Sequence, residues 1–292
     1  MNAFDLGAVP RTAADWNQLW GAKQQLRSMD HDAQYWNERA KTYTNKDNPD
    51  SYTHAFLRLA ALKPGDTVFD MGCGTGNLTI PLAEAGHEVC AADFSSGMLD
   101  RLRDAVRERG LEEHVTIKKL SWDDDWEAAG LEGGQFDACL ASRSIATDDL
   151  LGALTKLNHV CKRRGCLTLP CGPSPRTDER MLEAIGLPVH PSFDDCYALA
   201  MLSDLGQLPT LDYIPTQRND SFASREAAEE HCLRMAEGFA ADNRLPWDQE
   251  KMSQRIQQWL DASLVPDAQE PGRLTYATPR LSHWAFVSWN KR

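Results

Sequence analysis

The stretch VFDMGCGTGN, residues 68–77, decides the fold that this sequence predicts. An apolar run typical of a buried strand leads to Asp70, and glycines follow at positions 72, 74 and 76. Because glycine has no Cβ, a chain with glycine at alternate positions can turn tightly and lie close to a ligand. Apolar residues at helical spacing come next. We therefore predict a strand, a glycine turn and a helix in that order.

The spacing of these glycines bears on the kind of ligand. The dinucleotide-binding fingerprint has glycine at the first, third and sixth positions of the turn. Counted from Gly72, the sixth position is Asn77, and the glycine stands at the fifth position instead. This pattern disfavours NAD or FAD, and with them a dehydrogenase.

A second acidic residue follows at a fixed distance from the first. The apolar run 88–93 ends at Asp93, which lies 23 residues after Asp70, and the sequence DFSSGML occupies residues 93–99. The glycine turn, the two acids and this continuation resemble the class I S-adenosylmethionine-dependent methyltransferases, of the type that acts on small molecules. The alternative, a structural glycine turn that binds nothing, stays open.

This resemblance implies S-adenosylmethionine as cofactor, with S-adenosylhomocysteine as product. It implies that Asp93 accepts hydrogen bonds from both ribose hydroxyls, which suits a carboxylate because it has two acceptor oxygens and no donor. It places Phe94, and one of Trp122 and Asp123, at the adenine ring. The expected cofactor-binding residues are Tyr43, Asp70, Gly72, Cys73, Gly74, Gly76, Asp93, Phe94, Met98, Trp122, Asp123 and Ser142.

Predicted strands and helices alternate from the glycine turn to about residue 170, which is typical of a doubly wound α/β fold. The resemblance extends this to a mostly parallel, seven-stranded, Rossmann-like sheet with a helical N-terminal extension and a helical insertion. Ligands of such sheets bind beyond the carboxyl ends of the strands. The glycine turn, Asp93, Trp122, residues 142–144 and Cys171 are all expected at that edge.

We predict four segments along the chain. Residues 1–50 form a helical extension, either a lid in which Tyr43 reaches the methionine end of the cofactor or a segment whose aromatic residues only dock it on the core. Residues 51–175 form the cofactor-binding core, in which residues 170–173 end the fifth strand sharply. Residues 176–265 form a helical, substrate-side insertion with a sixth strand. Residues 266–292 form an antiparallel hairpin, with strands 273–278 and 281–290, that completes the core sheet.

The acceptor side of the site is less clearly marked. Arg143, just after the fourth strand, suits a carboxylate or phosphate of the acceptor, or else a salt bridge to the acidic loop 123–125. Cys171 invites comparison with RNA cytosine-5 methyltransferases, but the Pro-Cys pair that those enzymes carry after strand four is missing here. We assign Arg143, Ser144 and Cys171 to substrate binding. No catalytic residue and no metal site is assigned.

Composition limits the partners. The chain has 292 residues and a formal net charge of −12, which disfavours nucleic acid as a partner. Its eight cysteines contain no C-x-x-C pair, and no apolar run is long enough to span a membrane. We expect a cytoplasmic protein with a small-molecule acceptor and no membrane partner, and leave open whether it is a monomer or a homodimer.

The predicted function is therefore transfer of a methyl group to a small molecule by in-line displacement. Two alternatives remain: methylation of RNA or protein, and binding of S-adenosylmethionine without catalysis. The sequence leaves open which acceptor is used and whether nitrogen, oxygen, sulfur or carbon is methylated.

Overall fold

The computed structural model describes residues 10, 12–25, 33–43, 50–172, 177–218 and 220–291. The helices within them are α1 (Ala13–Gln24), α2 (Ala33–Ala40), α3 (Asp50–Ala60), α4 (Thr79–Glu84), α5 (Ser96–Arg109), α6 (Leu150–Val160), α7 (Glu179–Ala184), α8 (Asp194–Asp204), α9 (Arg225–Asp242) and α10 (Gln249–Ser263). The strands are β1 (Thr67–Met71), β2 (Glu88–Asp93), β3 (Val115–Lys119), β4 (Phe136–Ala141), β5 (Cys161–Gly172), β6 (Ser192–Phe193), β7 (Thr210–Arg218), β8 (Ser221–Phe222), β9 (Leu264–Pro266), β10 (Leu274–Tyr276) and β11 (Arg280–Asn290).

Seven strands lie side by side in a central sheet, in the order β3-β2-β1-β4-β5-β11-β7, and the short β6 pairs with the end of β5. Neighbours among β1 to β5 run parallel, whereas β11 is antiparallel to both β5 and β7. The predicted mostly parallel α/β sheet is confirmed.

Both faces of the sheet are covered by helices, which is why its strands read as continuous apolar runs. Alternate residues of β1 enter two different cores. Val68 packs in the cluster that contains Phe56 of α3 and residues of α4 and α5. Phe69 points to the other face, where it stacks on Phe136 at 5.2 Å and packs in the cluster that contains residues of α1, α6 and α8.

The predicted closing hairpin is wrong in its first strand. β11 pairs with β7, from Arg280 opposite Arg218 to Ser288 opposite Thr210. β10, which was expected to be its partner, belongs to a separate three-stranded sheet with β8 and β9. The prediction joined two strands that are adjacent in sequence, but residues 219–279 are inserted between the two strands that do pair.

The predicted sharp end of the fifth strand at residues 170–173 is also wrong. β5 continues to Gly172 and pairs Pro170 with Trp284 of β11. β4 has already ended, with Ala141 opposite Leu167. Proline has no N–H for a ladder hydrogen bond, and it is tolerated here because Pro170 lies between the end of β4 and the start of the pairing with β6, where β11 is its one partner strand.

The inserted residues 219–279 share a separate core with α7, which precedes β7 in the chain. Apolar side chains of α7, α9, α10 and the small sheet pack together, among them Leu182, Phe222 and Ile256. The two long helices of the inserted residues are capped at their N-termini, because Ser224 and Asp248 accept hydrogen bonds from the backbone N–H groups three residues later. The predicted boundary between residues 175 and 176 lies outside the described residues, and the division into four segments stays a prediction.

Three further observations concern the chain as a whole. No helix of the described part has the length and apolar composition that a membrane crossing requires. All eight cysteines are free thiols. In the same described ranges, no three His, Cys, Asp or Glu side chains are grouped in a way that would hold a metal ion.

Candidate functional site

A cavity of about 700 Å³ lies beyond the carboxyl ends of β1, β2 and β4. Of the fifteen residues that the sequence assigned to the site, those that line it are Tyr43, Asp70, Gly72, Cys73, Gly74, Asp93, Phe94, Met98, Trp122, Asp123, Ser142, Arg143 and Ser144. Gly76 and Cys171 are not among the lining residues. The structure thus brings most of the predicted site together at one edge of the sheet.

The glycine turn is fixed to β2 by hydrogen bonds from its own backbone. The N–H groups of Gly72 and Cys73 both donate to the carbonyl of Ala92, at 2.7 and 3.0 Å. Gly72 has a φ of +74°, and a Cβ built on it would lie 2.1 Å from the Cβ of Ser144. The first glycine is therefore required both by the backbone conformation and by the close approach of the loop after β4.

The other two glycines serve different purposes. Gly74 lines the cavity, and a Cβ built on it would meet no atom within 4 Å. Gly76 faces the protein, where a Cβ would lie 2.6 Å from Cδ1 of Leu102. The expectation that all three glycines admit a ligand therefore does not describe Gly76, whose missing side chain makes room for α5.

Two buried carboxyl groups flank this turn. Asp70 accepts a hydrogen bond from Oγ1 of Thr79 at 2.7 Å, and burial raises its pKa to about 6, with the nearby Asp93 adding to the shift. Asp93 accepts from the N–H of Gly74 at 3.0 Å through one oxygen and from the N–H of Ser95 at 2.8 Å through the other. Burial raises the pKa of Asp93 as well. Each of its oxygens retains capacity for a second hydrogen bond.

The loop after β3 contributes an aromatic wall. Trp122 is buried, packs on Trp126 with ring centroids 5.5 Å apart and donates from Nε1 to the carbonyl of Ser144 at 2.7 Å. Asp123 accepts a hydrogen bond from Oγ1 of Thr147 at 2.8 Å. These contacts hold the loop after β3 against the loop after β4, so both predicted residues are fixed in the lining.

The loop after β4 is supported by a tyrosine that the sequence analysis missed. The Tyr52 hydroxyl is buried within hydrogen-bond distance of Ser142 Oγ at 2.9 Å and of Thr168 Oγ1 at 2.8 Å. The guanidinium of Arg143 lies over the Tyr52 ring, 4.3 Å from its centroid. Arg143 also has a φ of +54°, which is uncommon for a residue with a side chain. Tyr52 could have been found from the sequence, because it lies four residues before Phe56 and therefore on the same face of the predicted helix.

Cys171 lies apart from this arrangement. It belongs to β5, where its Sγ lies 3.5 Å from the carbonyl oxygen of His283 on β11. Burial raises the pKa of its thiol to about 11, so the reactive thiolate is disfavoured near neutral pH. The structure therefore does not bring this predicted substrate-binding residue to the cavity.

Part of the N-terminal extension closes one side of the cavity. Trp36 and Tyr43 line it, as does Gln24 at the end of α1. α2 is fixed to α5 by Asn37, whose Oδ1 accepts hydrogen bonds from Ser95 Oγ at 2.8 Å and from Gly97 N at 2.9 Å. The sequence indicated Tyr43, but gave no signal for Asn37 or Gln24, since lone amides have no distinctive spacing.

The central part of the chain is similar to known methyltransferases. Residues 68–165 match the family model described as a methyltransferase domain. An uncharacterised protein of Haemophilus influenzae is 35% identical over 169 residues, which cover 58% of this chain and 61% of that protein. A 23S rRNA (uracil(1939)-C(5))-methyltransferase of Bordetella avium is 31% identical over 122 residues, which cover 40% of this chain and 25% of that protein.

Among solved structures, a provisionally assigned methyltransferase from Bacillus halodurans C-125 superposes with a TM-score of 0.50 at 14% identity, covering 82% of this chain and 98% of that one. At this identity the superposition bears on the fold alone. The chain spans about three fifths of the first relative and a quarter of the second. The resemblance to a methyltransferase is confirmed over residues 68–165, and the small-molecule type stays a prediction.

Proposed function

We propose, from the premise that residues 68–165 are a class I methyltransferase domain, that this protein transfers a methyl group from S-adenosylmethionine to a small-molecule acceptor. The observation that carries the proposal is the position of Asp93. Its carboxylate is held by the N–H groups of Gly74 and Ser95 in the lining of the cavity, and both oxygens can accept a further hydrogen bond.

The residues present fit this cofactor. The cavity volume of about 700 Å³ is in the range of small-molecule sites, and the space beside Gly74 admits a ligand against the backbone. Asp93 suits the ribose diol, and Phe94, Met98 and Trp122 supply apolar surface for a planar base. When bound, S-adenosylmethionine supplies a methyl group that its sulfonium already activates.

The contribution of the protein to such a reaction is positioning. Ser142 and Ser144 follow β4 and are held by Tyr52 and by the carbonyl of Met71, respectively. Arg143 is the cation among the lining residues that the structure describes. We therefore propose that it binds an anionic group of the acceptor and orients the attacking atom, since orientation alone can supply much of the rate enhancement of a displacement.

The proposed location of the protein is the cytoplasm. Its free thiols fit that reducing compartment.

Calorimetric titration tests the cofactor. The wild-type protein is titrated with S-adenosylmethionine, S-adenosylhomocysteine and, as a control, NAD, and the titrations are repeated with Asp93→Ala. We expect binding of the first two ligands by the wild-type protein and its loss in the variant. Binding of NAD alone, or unchanged affinity in Asp93→Ala, would contradict the proposal.

Methylation of RNA is the second candidate, and the similarity to the Bordetella rRNA methyltransferase favours it. Against it stands the net charge of −12, which repels a phosphate backbone. Methyl-labelled S-adenosylmethionine, incubated with the protein and with separated small-molecule, RNA and protein fractions of a cell extract, decides between them. We expect label in the small-molecule fraction. Label only in RNA would establish the second candidate, and label in no fraction would support a binding protein without catalysis.

A further inference from the structure

The cavity extends to the last residue of α1, Gln24, which lies in its lining. The Gln24 side chain is buried, with 9% of its surface exposed, and its Nε2 atom has no hydrogen-bond partner among the residues that the structure describes. Other buried side-chain atoms in these ranges also lack one, but only this atom belongs to a residue that lines the cavity.

The position of Gln24 is well fixed by its neighbours. Trp20, one turn earlier, donates from Nε1 to the carbonyl of Thr147 at 2.8 Å, and Lys23 forms an ion pair with the buried Asp194. A buried donor without an acceptor is unfavourable and uncommon in folded proteins. Because Trp20 and Lys23 anchor the last two turns of α1, this donor is held in place without an acceptor among the described residues, beside a cavity whose ligand can supply one.

The surroundings of Gln24 belong to the loop between β4 and α6. A Cβ built on Gly21, one turn before Gln24, would lie 3.4 Å from the carbonyl oxygen of Asp148. Residues 145–149 of this loop line the cavity, whereas Asp70 and Asp93 lie beside the glycine turn. Gln24 therefore lies beside the continuation of the loop that carries Arg143 and Ser144, the two residues that the proposed function assigns to the acceptor.

We propose that Gln24 determines acceptor specificity by donating a hydrogen bond from Nε2 to an uncharged carbonyl oxygen of the acceptor, an inference that rests on the proposed function. The oxygen is uncharged because Asp148 and Asp149 line the cavity beside it, and a carboxylate placed there would face charges of its own sign. A negative group of the same molecule belongs at Arg143. The acceptor class is then an organic acid that carries a separate ketone or amide carbonyl.

Stability provides the first test. Gln24→Leu removes the buried donor, and Gln25→Leu makes the same change at the exposed neighbouring residue. Without ligand, we expect the unfolding temperature of Gln24→Leu to rise by about 2 °C or more, and that of Gln25→Leu to stay unchanged. A lower unfolding temperature for Gln24→Leu would mean that the amide makes a structural hydrogen bond, and would overturn the inference.

Binding provides the second test. Protein saturated with S-adenosylhomocysteine is titrated with pairs of aromatic acids that differ by one carbonyl: benzoate with 4-acetylbenzoate, and nicotinate with 6-oxonicotinate. We expect about three- to tenfold tighter binding of the carbonyl member of at least one pair by the wild-type protein and Gln25→Leu, and equal binding by Gln24→Leu. Equal affinities in the wild-type protein, or no binding of either carbonyl compound, would contradict the inference. If the wild-type protein failed to bind S-adenosylhomocysteine itself, the proposed function would fail instead.

Discussion

The carboxylate of Asp93 accepts a hydrogen bond from the backbone N–H of Gly74 at 3.0 Å, so the end of β2 and the glycine turn after β1 are held as one unit. Asp93→Asn replaces one acceptor oxygen with an NH₂ group, which then faces an N–H or a hydroxyl donor. We expect affinity for S-adenosylhomocysteine to fall at least about tenfold, measured by calorimetry.

Asp100→Asn is the matched control for this prediction. Asp100 is exposed on α5, where it forms an ion pair with Arg103, and it does not line the cavity. Its replacement is expected to leave ligand affinity unchanged. Equal losses in the two variants would show that affinity depends on overall charge rather than on the position of Asp93.

Asp70→Asn tests the cost of a buried carboxylate. Burial raises the pKa of Asp70 to about 6 in the folded protein, above its value in an unfolded chain, so the folded state binds this proton more tightly. Ionised Asp70 therefore destabilises the fold by up to about 3 kcal/mol above pH 7, and the penalty shrinks as the pH falls through 6 toward 4. The amide of the variant can still accept from Thr79.

We accordingly expect Asp70→Asn to be the more stable protein at pH 8, with a gain that declines steadily toward pH 4. Urea unfolding of both proteins at four pH values between 4 and 8 measures the difference. A difference that stays constant over this range would show that Asp70 does not change its protonation there.

Much of this site could be predicted because its residues follow the strands of a parallel sheet. Once β1, β2 and β4 were recognised from their apolar runs, the position of Asp70, Asp93 and Ser142 at one edge followed from topology alone. The same logic failed for Cys171, because β5 extends beyond β4 and carries that residue past the cavity. Strand length depends on long-range pairing, which local sequence does not encode.

Other features could not be predicted from the sequence for the same reason. β10 was predicted as the partner of β11, but β7 is the partner in the structure. Which of the two strands pairs with β11 depends on contacts between residues that are distant in sequence. The role of Gly76 also depends on a distant contact. Gly76 matched the expected pattern, but a side chain is excluded there by Leu102 of α5. Motif spacing identifies such residues without giving the cause.

Gly72→Ala and Gly74→Ala separate backbone strain from steric conflict. Both glycines have positive φ, +74° and +55°, so each substitution costs about 1–2 kcal/mol of backbone energy. At Gly72 the added Cβ would also lie 2.1 Å from the Cβ of Ser144, whereas at Gly74 it meets nothing within 4 Å. We expect Gly72→Ala to lose clearly more stability in urea unfolding than Gly74→Ala.

The ligand readout should differ between the same two variants. Because Gly74 lines the cavity with open space beside it, its alanine variant is expected to retain most of its stability but to bind S-adenosylhomocysteine more weakly. If Gly74→Ala kept full affinity, the cofactor would not lie against this part of the turn.

Tyr52→Phe removes the hydroxyl that joins α3 to the loop after β4. The hydroxyl is buried between Ser142 Oγ and Thr168 Oγ1, and Thr168 Oγ1 also accepts from the N–H of Arg143 at 3.0 Å. We expect a loss of about 1–2 kcal/mol in unfolding free energy, because the phenyl ring keeps its packing but two hydroxyls lose a partner. Tyr213→Phe, at an exposed tyrosine, is the control and should change little. Equal stability of Tyr52→Phe and the wild-type protein would show that the hydroxyl does not hold this loop.

Asn37→Ala tests whether α2 acts as a lid over the proposed cofactor site. Asn37 Oδ1 accepts from Ser95 Oγ and Gly97 N at the start of α5, and the two helices pack closely here, since a Cβ built on Gly97 would lie 3.1 Å from the Asn37 backbone. Loss of these hydrogen bonds should free α2, so we expect faster proteolysis in residues 33–43 and faster dissociation of S-adenosylhomocysteine, measured by stopped flow. Asn37→Asp is the matched variant: its oxygens can still accept both hydrogen bonds, and a negative charge is favourable at a helix N-terminus, so it should behave as the wild-type protein. If Asn37→Ala were cut faster but released the ligand at the wild-type rate, α2 would be a docked segment and not a lid.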